Sequence, residues 1–412
     1  MNRYDVLLVL LIVSLAGGLY GGTLVAARIL AILFFPILIA RMSKCGYIKS
    51  FLSFFIIFYA YCLVSMLWTP DRVQGAKELV YWIVHFVYLC EILVFAGYAN
   101  KPLKSISWGW TLMMFGCFIV AGWELVTNKH LAVAVDMPLD LRMASVTFGN
   151  RNTFITLLCF SLPWIAYLFF KLKEFNIVEK FILYFVVLMF ILVLFFNASR
   201  GGVLSFMIML LVCLVVYRRE FVMNGRKSML ILCGFVITTY LVGHYSLGAY
   251  PSISDMGTRG GILHDAARMS IWRACLQMLY GSSFVGVGVG GMTASLQSYN
   301  HIFKDSVVAS AHSLFMEILL QYGVIFFTIT VLCVLLAFLK TVRVKNIERR
   351  AVLLMSLSSM PVYTIIDSGY LLSPQLFALI GSIYLFANEE KLHLISCTNS
   401  AQNLTVDESI NY

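Results

Sequence analysis

A polar segment from Tyr245 to His312 interrupts a chain that otherwise consists of apolar runs, and it carries most of the residues that could do chemistry. Arg268 lies inside this segment, and Arg200 precedes it at the start of another apolar run. Guanidinium groups bind phosphate oxygens, and a neutral imidazole can take a proton from a hydroxyl group. These residue types suggest a site that binds a diphosphate and deprotonates an acceptor.

Arg200 stands between Ser199 and the pair Gly201 and Gly202, just before the apolar run 203–217. A helix amino terminus has unpaired N–H groups and a partial positive charge, and we expect the glycines to let a ligand approach the backbone. This combination favours phosphate binding. The alternative is that Arg200 only extends to the membrane interface, as arginines at the ends of spans usually do.

Arg268 lies on a predicted helix inside the polar segment. At helical spacing it shares an apolar face with Trp272, Cys275 and Leu279, whereas Arg273 lies on a mixed face. A charge on an apolar face requires a partner, which is either a structural carboxylate or an anionic ligand. Arg268 is therefore the stronger of the two candidates for binding an anion.

The candidate bases are histidines. His312 immediately precedes a long apolar run, which would hold its imidazole at the membrane surface, although a lone histidine is more often structural. His264 and His301 in the same segment are weaker candidates. His85 and Glu91 lie within a predicted span, where either a proton path or a satisfied hydrogen bond would explain them.

Several familiar motifs are absent from the sequence. It has no D-x-D, GxxxxGK[ST] or HExxH pattern, so we expect no metal-held sugar nucleotide, no P-loop, no metal site and no cofactor. The glycine-rich stretch Gly286 to Gly291 does not follow the Rossmann spacing, and we expect a flexible lid or turn. Without a metal, arginines and helix ends would have to stabilise a diphosphate, which makes Arg200 and Arg268 the centre of the hypothesis.

The composition indicates the class of protein that must position these residues. The 412 residues are 61% hydrophobic and 12% charged, with a mean hydropathy of +0.88, which is far too apolar for a soluble globule. The apolar runs are long rather than alternating, so we predict an all-α polytopic membrane protein. The ten cysteines form no C-x-x-C pair, so neither a disulfide framework nor a zinc site is expected.

We predict about twelve transmembrane helices, with the first one retained. They lie at residues 5–19, 23–40, 51–68, 78–98, 107–126, 152–170, 181–199, 201–217, 228–244, 313–339, 351–367 and 371–388. The chain then divides into transmembrane helices within 1–244, one large extracytoplasmic loop subdomain with short helices at 245–312, transmembrane helices within 313–390 and a polar tail at 391–412.

Basic residues predict the orientation of these spans. Of the 30 lysines and arginines, 19 fall in alternate connections that include the amino terminus, ten fall on the other side, and Arg28 lies within a span. Cytoplasmic loops are enriched in lysine and arginine, so we place both termini in the cytoplasm and the 245–312 loop outside. The same rule explains the formal net charge of +10 without a nucleic-acid partner.

Several short motifs occur in an order that resembles one family. They are Phe148-Gly149-Asn150-Arg151-Asn152, Ser199-Arg200-Gly201-Gly202, Ala267-Arg268 with Trp272, the glycines Gly286, Gly288 and Gly290, and Ala311-His312-Ser313 with Glu317 and Gly323. Together they resemble the O-antigen ligase and polymerase superfamily of bacterial envelopes. Ser313 departs from its pattern, in which asparagine commonly follows the histidine.

The resemblance implies a GT-C-like fold in the bacterial cytoplasmic (inner) membrane, with the active site on the extracytoplasmic face. It implies a metal-independent inverting glycosyltransferase that takes a glycan from undecaprenyl diphosphate to an acceptor sugar during O-antigen, capsule or exopolysaccharide assembly. The implied diphosphate-binding residues are Arg200 and Arg268, the implied catalytic residue is His312, and possible supporting residues are Arg273, Asp367, Gly201 and Asn150.

Ligase and polymerase remain alternatives. Ligases transfer the glycan to lipid A core sugar of lipopolysaccharide, and polymerases transfer it to another lipid-linked unit; nothing in the sequence identifies a lipid A core acceptor, which slightly favours a polymerase or a general surface-glycan role. The expected partners are the lipid-linked donor, a glycan or lipid-linked acceptor, membrane lipids and other envelope-glycan assembly proteins. A transporter or flippase of lipid-linked glycans, or a noncatalytic assembly partner, are the alternatives from other classes.

Overall fold

The computed structural model describes residues 2–17, 26–42, 48–131, 143–148, 151–197, 199–218, 262–299, 310–366 and 369–389, and within these ranges it is helical with no β-strand. The helices are α1 (Arg3–Val13), α2 (Ala26–Met42), α3 (Ile48–Ser65), α4 (Arg72–Tyr98), α5 (Pro102–Thr127), α6 (Arg151–Phe170), α7 (Ile177–Phe196), α8 (Arg200–Val216), α9 (Ile262–Gly281), α10 (Met292–Ser298), α11 (Leu314–Val342), α12 (Ile347–Tyr363) and α13 (374–389).

Five of the described helices are long and apolar enough to cross a membrane: α4, α5, α6, α7 and α11. Helix α8 and the part of α3 from Phe51 to Ser65 are apolar but shorter. The chain is therefore a multi-pass membrane protein. Every predicted span except 228–244, which lies outside the described residues, overlaps one of the helices.

The helices pack as a bundle around large buried side chains. Helix α1 packs on α5, α2 on α4, α5 on α6, and α12 on both α6 and α8. Trp110 and Trp164 are fully buried. The Trp110 Nε1–H donates to Ser382 Oγ at 3.0 Å, so the indole that fills the core also has its polar atom paired between α5 and α13.

The second part of the connection between α9 and α10 is a largely buried turn, which we call the glycine strap (Gly286–Gly291). Of the two alternatives expected from the sequence, a flexible lid or a turn, the structure shows a turn, which is hydrogen-bonded to three helices. Its backbone N–H groups at Val287 and Gly288 donate to Leu320 O at 2.9 Å and Gln321 O at 3.1 Å on α11. The Val289 N–H donates to Ser65 Oγ at 3.0 Å at the end of α3.

The strap, together with Val285 before it, packs against the break in α11, and it supplies a hydrogen-bond partner for a buried carboxylate on α4. Gly323 breaks the helical geometry of α11 with φ 76°, and a Cβ there would lie 2.3 Å from Val285 O. On the other side, Gly290 N–H donates to Glu78 Oε2 at 3.0 Å, and the Gln321 amide donates to the same oxygen. The strap therefore holds α9 at a set position relative to α4 and α11.

Candidate functional site

Arg200 is the first residue of α8, as the sequence predicts. Ser199 caps the helix, since its Oγ accepts from the Gly202 N–H at 3.2 Å. The Arg200 side chain is exposed. An anion can reach an exposed guanidinium group at a helix start directly from the surface, without any rearrangement of the protein core.

The glycines after Arg200 have a packing role that differs from the expected one. A Cβ on Gly201 would lie 2.8 Å from Cγ1 of Ile366, and one on Gly202 would lie 2.6 Å from Cγ2 of Ile155. Protein side chains therefore occupy the space that we expected to be open to a ligand. The absent side chains allow α8 to approach α6 and the chain after α12.

Arg268 reaches the same place from α9. Its Nη2 lies 3.5 Å from Ile366 O in a long hydrogen bond, and its side chain is partly buried. The predicted faces of α9 are confirmed: Cys275 and Leu279 are 1% and 4% exposed, whereas Arg273 is exposed on the other face. Arg268 therefore points with the apolar face of α9 towards the bundle, and Arg273 does not.

The chain after α12, residues 364–366, is the point at which three helices meet, and we call it the 364–366 turn. Gly201 of α8 packs on the Ile366 side chain, and Arg268 of α9 donates to the Ile366 carbonyl. At its other end, the Leu314 N–H of α11 donates to Thr364 O at 3.0 Å. The 364–366 turn thus brings together Gly201, which precedes the polar segment, Arg268, which lies inside it, and Leu314, which follows it.

His312 directly precedes α11 and has an unusual backbone conformation. Its φ is +49°, which few residues other than glycine adopt. Two neighbours hold this conformation: Ala311 O accepts from Trp272 Nε1–H at 2.9 Å, and Ser313 Oγ caps α11 by accepting from the Met316 N–H. Serine and asparagine are both good amino-terminal caps, so Ser313 preserves the helix start where the family commonly has asparagine.

Trp272 connects Arg268 with His312. It lies one helical turn after Arg268, and its indole donates a hydrogen bond to Ala311, the residue before His312. Beneath it, α9 has a small core of its own. It consists of Ile271, Ala274, Cys275, Met278, Leu296, Ala311 and Leu320. Burial raises the pKa of the Cys275 thiol to about 12, with the Glu317 carboxylate adding to the shift, so this thiol stays protonated near neutral pH and is a packing residue.

Glu317 contributes a buried carboxylate whose contacts the sequence did not reveal. It is 0% exposed, and its Oε1 and Oε2 accept from the Gly369 N–H at 2.6 Å and the Tyr370 N–H at 3.1 Å. Glu317 thus bonds to the start of the turn Gly369–Leu372, which follows the 364–366 turn. A carboxylate one turn into an otherwise apolar run was the signal available in the sequence.

Two further buried polar residues, which the sequence analysis also missed, hold the segment before α6: Glu124 near the end of α5 and Asn197 just before α8. Glu124 Oε2 accepts from the N–H groups of Ser145 and Val146 at 2.8 and 2.9 Å. Asn197 exchanges two hydrogen bonds with the Ala144 backbone, at 2.7 and 2.8 Å. Because Asn197 lies three residues before Arg200, this pairing fixes the approach of the chain to the helix that carries the guanidinium group.

Some of the predicted residues belong to the part of the chain that the structure does not describe. Asn150, His301 and Asp367 lie outside the described residues, and so does the side chain of His264. His85 Nε2 accepts from Arg28 Nε at 3.2 Å. Its Nδ1 and both carboxylate oxygens of Glu91 are buried and have no hydrogen-bond partner among the described residues, so the explanation by a satisfied hydrogen bond holds for one nitrogen of His85 and not for Glu91.

Comparison with known proteins identifies a match that includes the region around Arg200, Arg268 and His312. Residues 184–331 match the family model described as O-Antigen ligase. The chain is also 23% identical over 287 residues to the teichuronic acid biosynthesis protein TuaE of Bacillus subtilis (strain 168), an alignment that covers 67% of this chain and 57% of that relative. The resemblance to the O-antigen ligase and polymerase superfamily is confirmed. The alignment with TuaE covers less than two thirds of the length of that protein.

The O-antigen ligase match runs from α7 into α11 and covers less than half of the chain. It includes Arg200, Arg268 and His312, whereas Asn150 and Asp367 lie outside it. The O-antigen ligase family suggests a glycan-transferring enzyme of polysaccharide biosynthesis.

Proposed function

We propose that this protein is a metal-independent inverting glycosyltransferase that moves a glycan from undecaprenyl diphosphate to an acceptor sugar on the extracytoplasmic face of the cytoplasmic membrane. The observation that carries the proposal is the shared contact of α8 and α9 with Ile366, beside the start of α11. This contact supports a common site for Arg200, Arg268 and His312, all of which lie in the O-antigen ligase match.

In the proposed reaction, the acceptor hydroxyl attacks the anomeric carbon of the donor sugar. Its proton goes to the His312 imidazole, and the bond between the anomeric carbon and the diphosphate oxygen breaks with its electron pair on the diphosphate. Arg200 and Arg268 stabilise the negative charge that grows there, which needs no metal ion. Arg273, Asp367, Gly201 and Asn150 support this site, Gly201 by keeping α8 close to Ile366.

The test uses purified protein in detergent with a labelled undecaprenyl-diphosphate-linked oligosaccharide and measures release of undecaprenyl diphosphate. We expect Arg200→Ala and Arg268→Ala each to lower kcat by roughly 100- to 1,000-fold, and His312→Ala by roughly 100- to 10,000-fold. Arg343→Ala, in the connection after α11, is the control and should keep the wild-type rate. Wild-type rates in all three site variants would refute the assignment.

The same assay separates the alternatives. A transporter or flippase, or a noncatalytic partner, would release no undecaprenyl diphosphate. Between the two enzyme classes, a deletion strain decides: polymer that accumulates on the lipid carrier indicates a ligase, whereas single repeat units indicate a polymerase. The relative TuaE is named for teichuronic acid biosynthesis rather than for ligation to a lipid A core, which favours a general role in surface-glycan assembly.

A further inference from the structure

The turn Gly369–Leu372, which we call the 369–372 turn, lies between the candidate site and the amino-terminal helices. Its first two N–H groups donate to Glu317, and the Tyr370 hydroxyl donates to Tyr363 O at 2.8 Å, at the end of α12. The turn is therefore tied to α11 and to the helix that leads into the 364–366 turn. Any group that holds its far end, Leu372, also restrains the position of Ile366.

Arg28 of α2 holds that far end. Its Nη2 donates to Leu372 O at 2.8 Å, and its Nε donates to His85 Nε2 on α4 at 3.2 Å. The guanidinium carbon lies 3.9 Å from the centre of the Tyr81 ring, which is a cation–π contact. One side chain thus joins α2, α4 and the 369–372 turn.

The buried environment of Arg28 makes the loss of any of these contacts costly. The residue is only 8% exposed and lies in the first turn of an apolar helix, where burying a guanidinium group is costly unless its N–H groups are paired. Because planar guanidinium donors have fixed directions, movement of Leu372 or His85 would break a charged hydrogen bond. The position of the turn is therefore coupled to the position of Arg28.

We propose that Arg28 is a positioning residue of the transfer site: through Leu372 it holds the 369–372 turn, and through Ile366 it sets the position of the Arg268 guanidinium. This inference rests on the proposed function. Arg28 does not itself bind the donor, because its Nε, one Nη and one face of its plane already contact protein groups. The sequence analysis set Arg28 aside as a lone basic residue within a span, and neither the O-antigen ligase match nor its motifs include it.

The first measurement is kcat and KM for the lipid-linked donor in Arg28→Met. Misplacement of Arg268 by a fraction of an ångström should lower kcat by about tenfold to a hundredfold while KM for the donor changes by less than about threefold. Arg41→Met, on the same helix and near its other end, is the matched control and should behave as wild type. A raised KM with an unchanged kcat would show direct donor binding and overturn the proposal.

The second measurement is a double-mutant cycle with Arg268→Ala. If Arg28 acts through Arg268, then Arg28→Met should reduce kcat much less in the Arg268→Ala background than in the wild-type protein. Fully additive losses would overturn the proposal, because they would mean that Arg28 acts elsewhere.

A folding control keeps the test decisive. If Arg28→Met does not insert or purify, Arg28→Lys carries the same measurements, since lysine retains the charge and a donor for Leu372 O but cannot bridge to His85 as well. We expect it to lower kcat less than methionine does. If wild-type protein releases no undecaprenyl diphosphate, the proposed function itself fails; if wild type and both Arg28 variants are equally active, only the role of Arg28 fails.

Discussion

The hydrogen bond from the Trp272 indole to the Ala311 carbonyl is the clearest structural connection between an arginine-bearing helix and the histidine. His312 keeps a left-handed backbone at φ +49°, which is strained for a residue with a side chain and persists only when its neighbours hold it. The indole holds the residue before it, and the Ser313 cap holds the residue after it. Contacts of the neighbouring Ala311 and Ser313 therefore help to set the backbone from which the imidazole projects.

This dependence predicts the effect of Trp272→Phe. The ring keeps most of its packing, but the Ala311 carbonyl loses its donor, so we expect kcat to fall by roughly tenfold to a hundredfold through displacement of His312. Trp123→Phe on α5 is the control, because Trp123 is 43% exposed. Steady-state transfer assays with Tm measurements on both variants provide the comparison, and an unchanged kcat in Trp272→Phe would contradict the role.

At the scale of elements, the glycine strap is a joint between helices rather than a mobile cover. Three of its glycines have positive φ, and their Cα atoms approach backbone atoms of other elements too closely for any side chain. At Gly290, a Cβ would lie 2.3 Å from Gly75 N and 2.5 Å from Gly75 Cα. The strap can therefore pass between α4 and α11 only with glycine at these three positions, and its position determines where α9 carries Arg268.

We predict that Gly290→Ala lowers the free energy of unfolding by about 2 to 6 kcal/mol, because a strained φ and overpacking against backbone each contribute about 1 to 3 kcal/mol. Gly281→Ala at the end of α9 is the matched control, since a Cβ there meets nothing within 4 Å. Thermal unfolding in detergent, followed by a transfer assay, measures both variants. Equal Tm values would show that the strap tolerates side chains.

At the scale of the whole molecule, two ion pairs join helix ends that the charge pattern assigns to the same side of the membrane. Lys171 at the end of α6 forms an ion pair with Glu348 at the start of α12, with 2.6 Å between Nζ and Oε2. Arg349 pairs with Glu389 of α13 at 3.0 Å. All four residues belong to connections, or to helix ends beside them, that the sequence analysis assigned to the cytoplasm. The start of α8, α9 and the 364–366 turn meet elsewhere, at helix ends assigned to the outside.

This arrangement predicts the labelling of introduced cysteines in a background without the native ones. Tyr280→Cys, at a site 75% exposed on α9, should react with a membrane-impermeant maleimide in intact spheroplasts. Lys173→Cys, in the exposed connection between α6 and α7, should react only after the membrane is opened. The opposite pattern would reverse the proposed orientation and place the transfer site on the cytoplasmic face.

The sequence by itself indicated the membrane class and the positions of most of the described helices, and it singled out Arg200 and Arg268 as candidates for phosphate binding, which stays a prediction. These properties are local: runs of apolar side chains, basic connections and helix starts can be read along the chain. The apolar face of α9 was equally predictable, because its period separates Arg268 from Arg273 in a segment that includes polar residues.

Only the tertiary structure decided which helix ends meet. In a membrane, both the packed and the lipid-facing sides of a helix are apolar, so hydropathy cannot distinguish them: on α11, Leu320 is 0% exposed and Leu336 is 63% exposed. For the same reason, nothing local paired Arg28 with Leu372, Gly201 with Ile366 or Glu78 with the glycine strap. These contacts join residues far apart in the chain, and they depend on how the helices pack, which their individual apolar patterns do not specify.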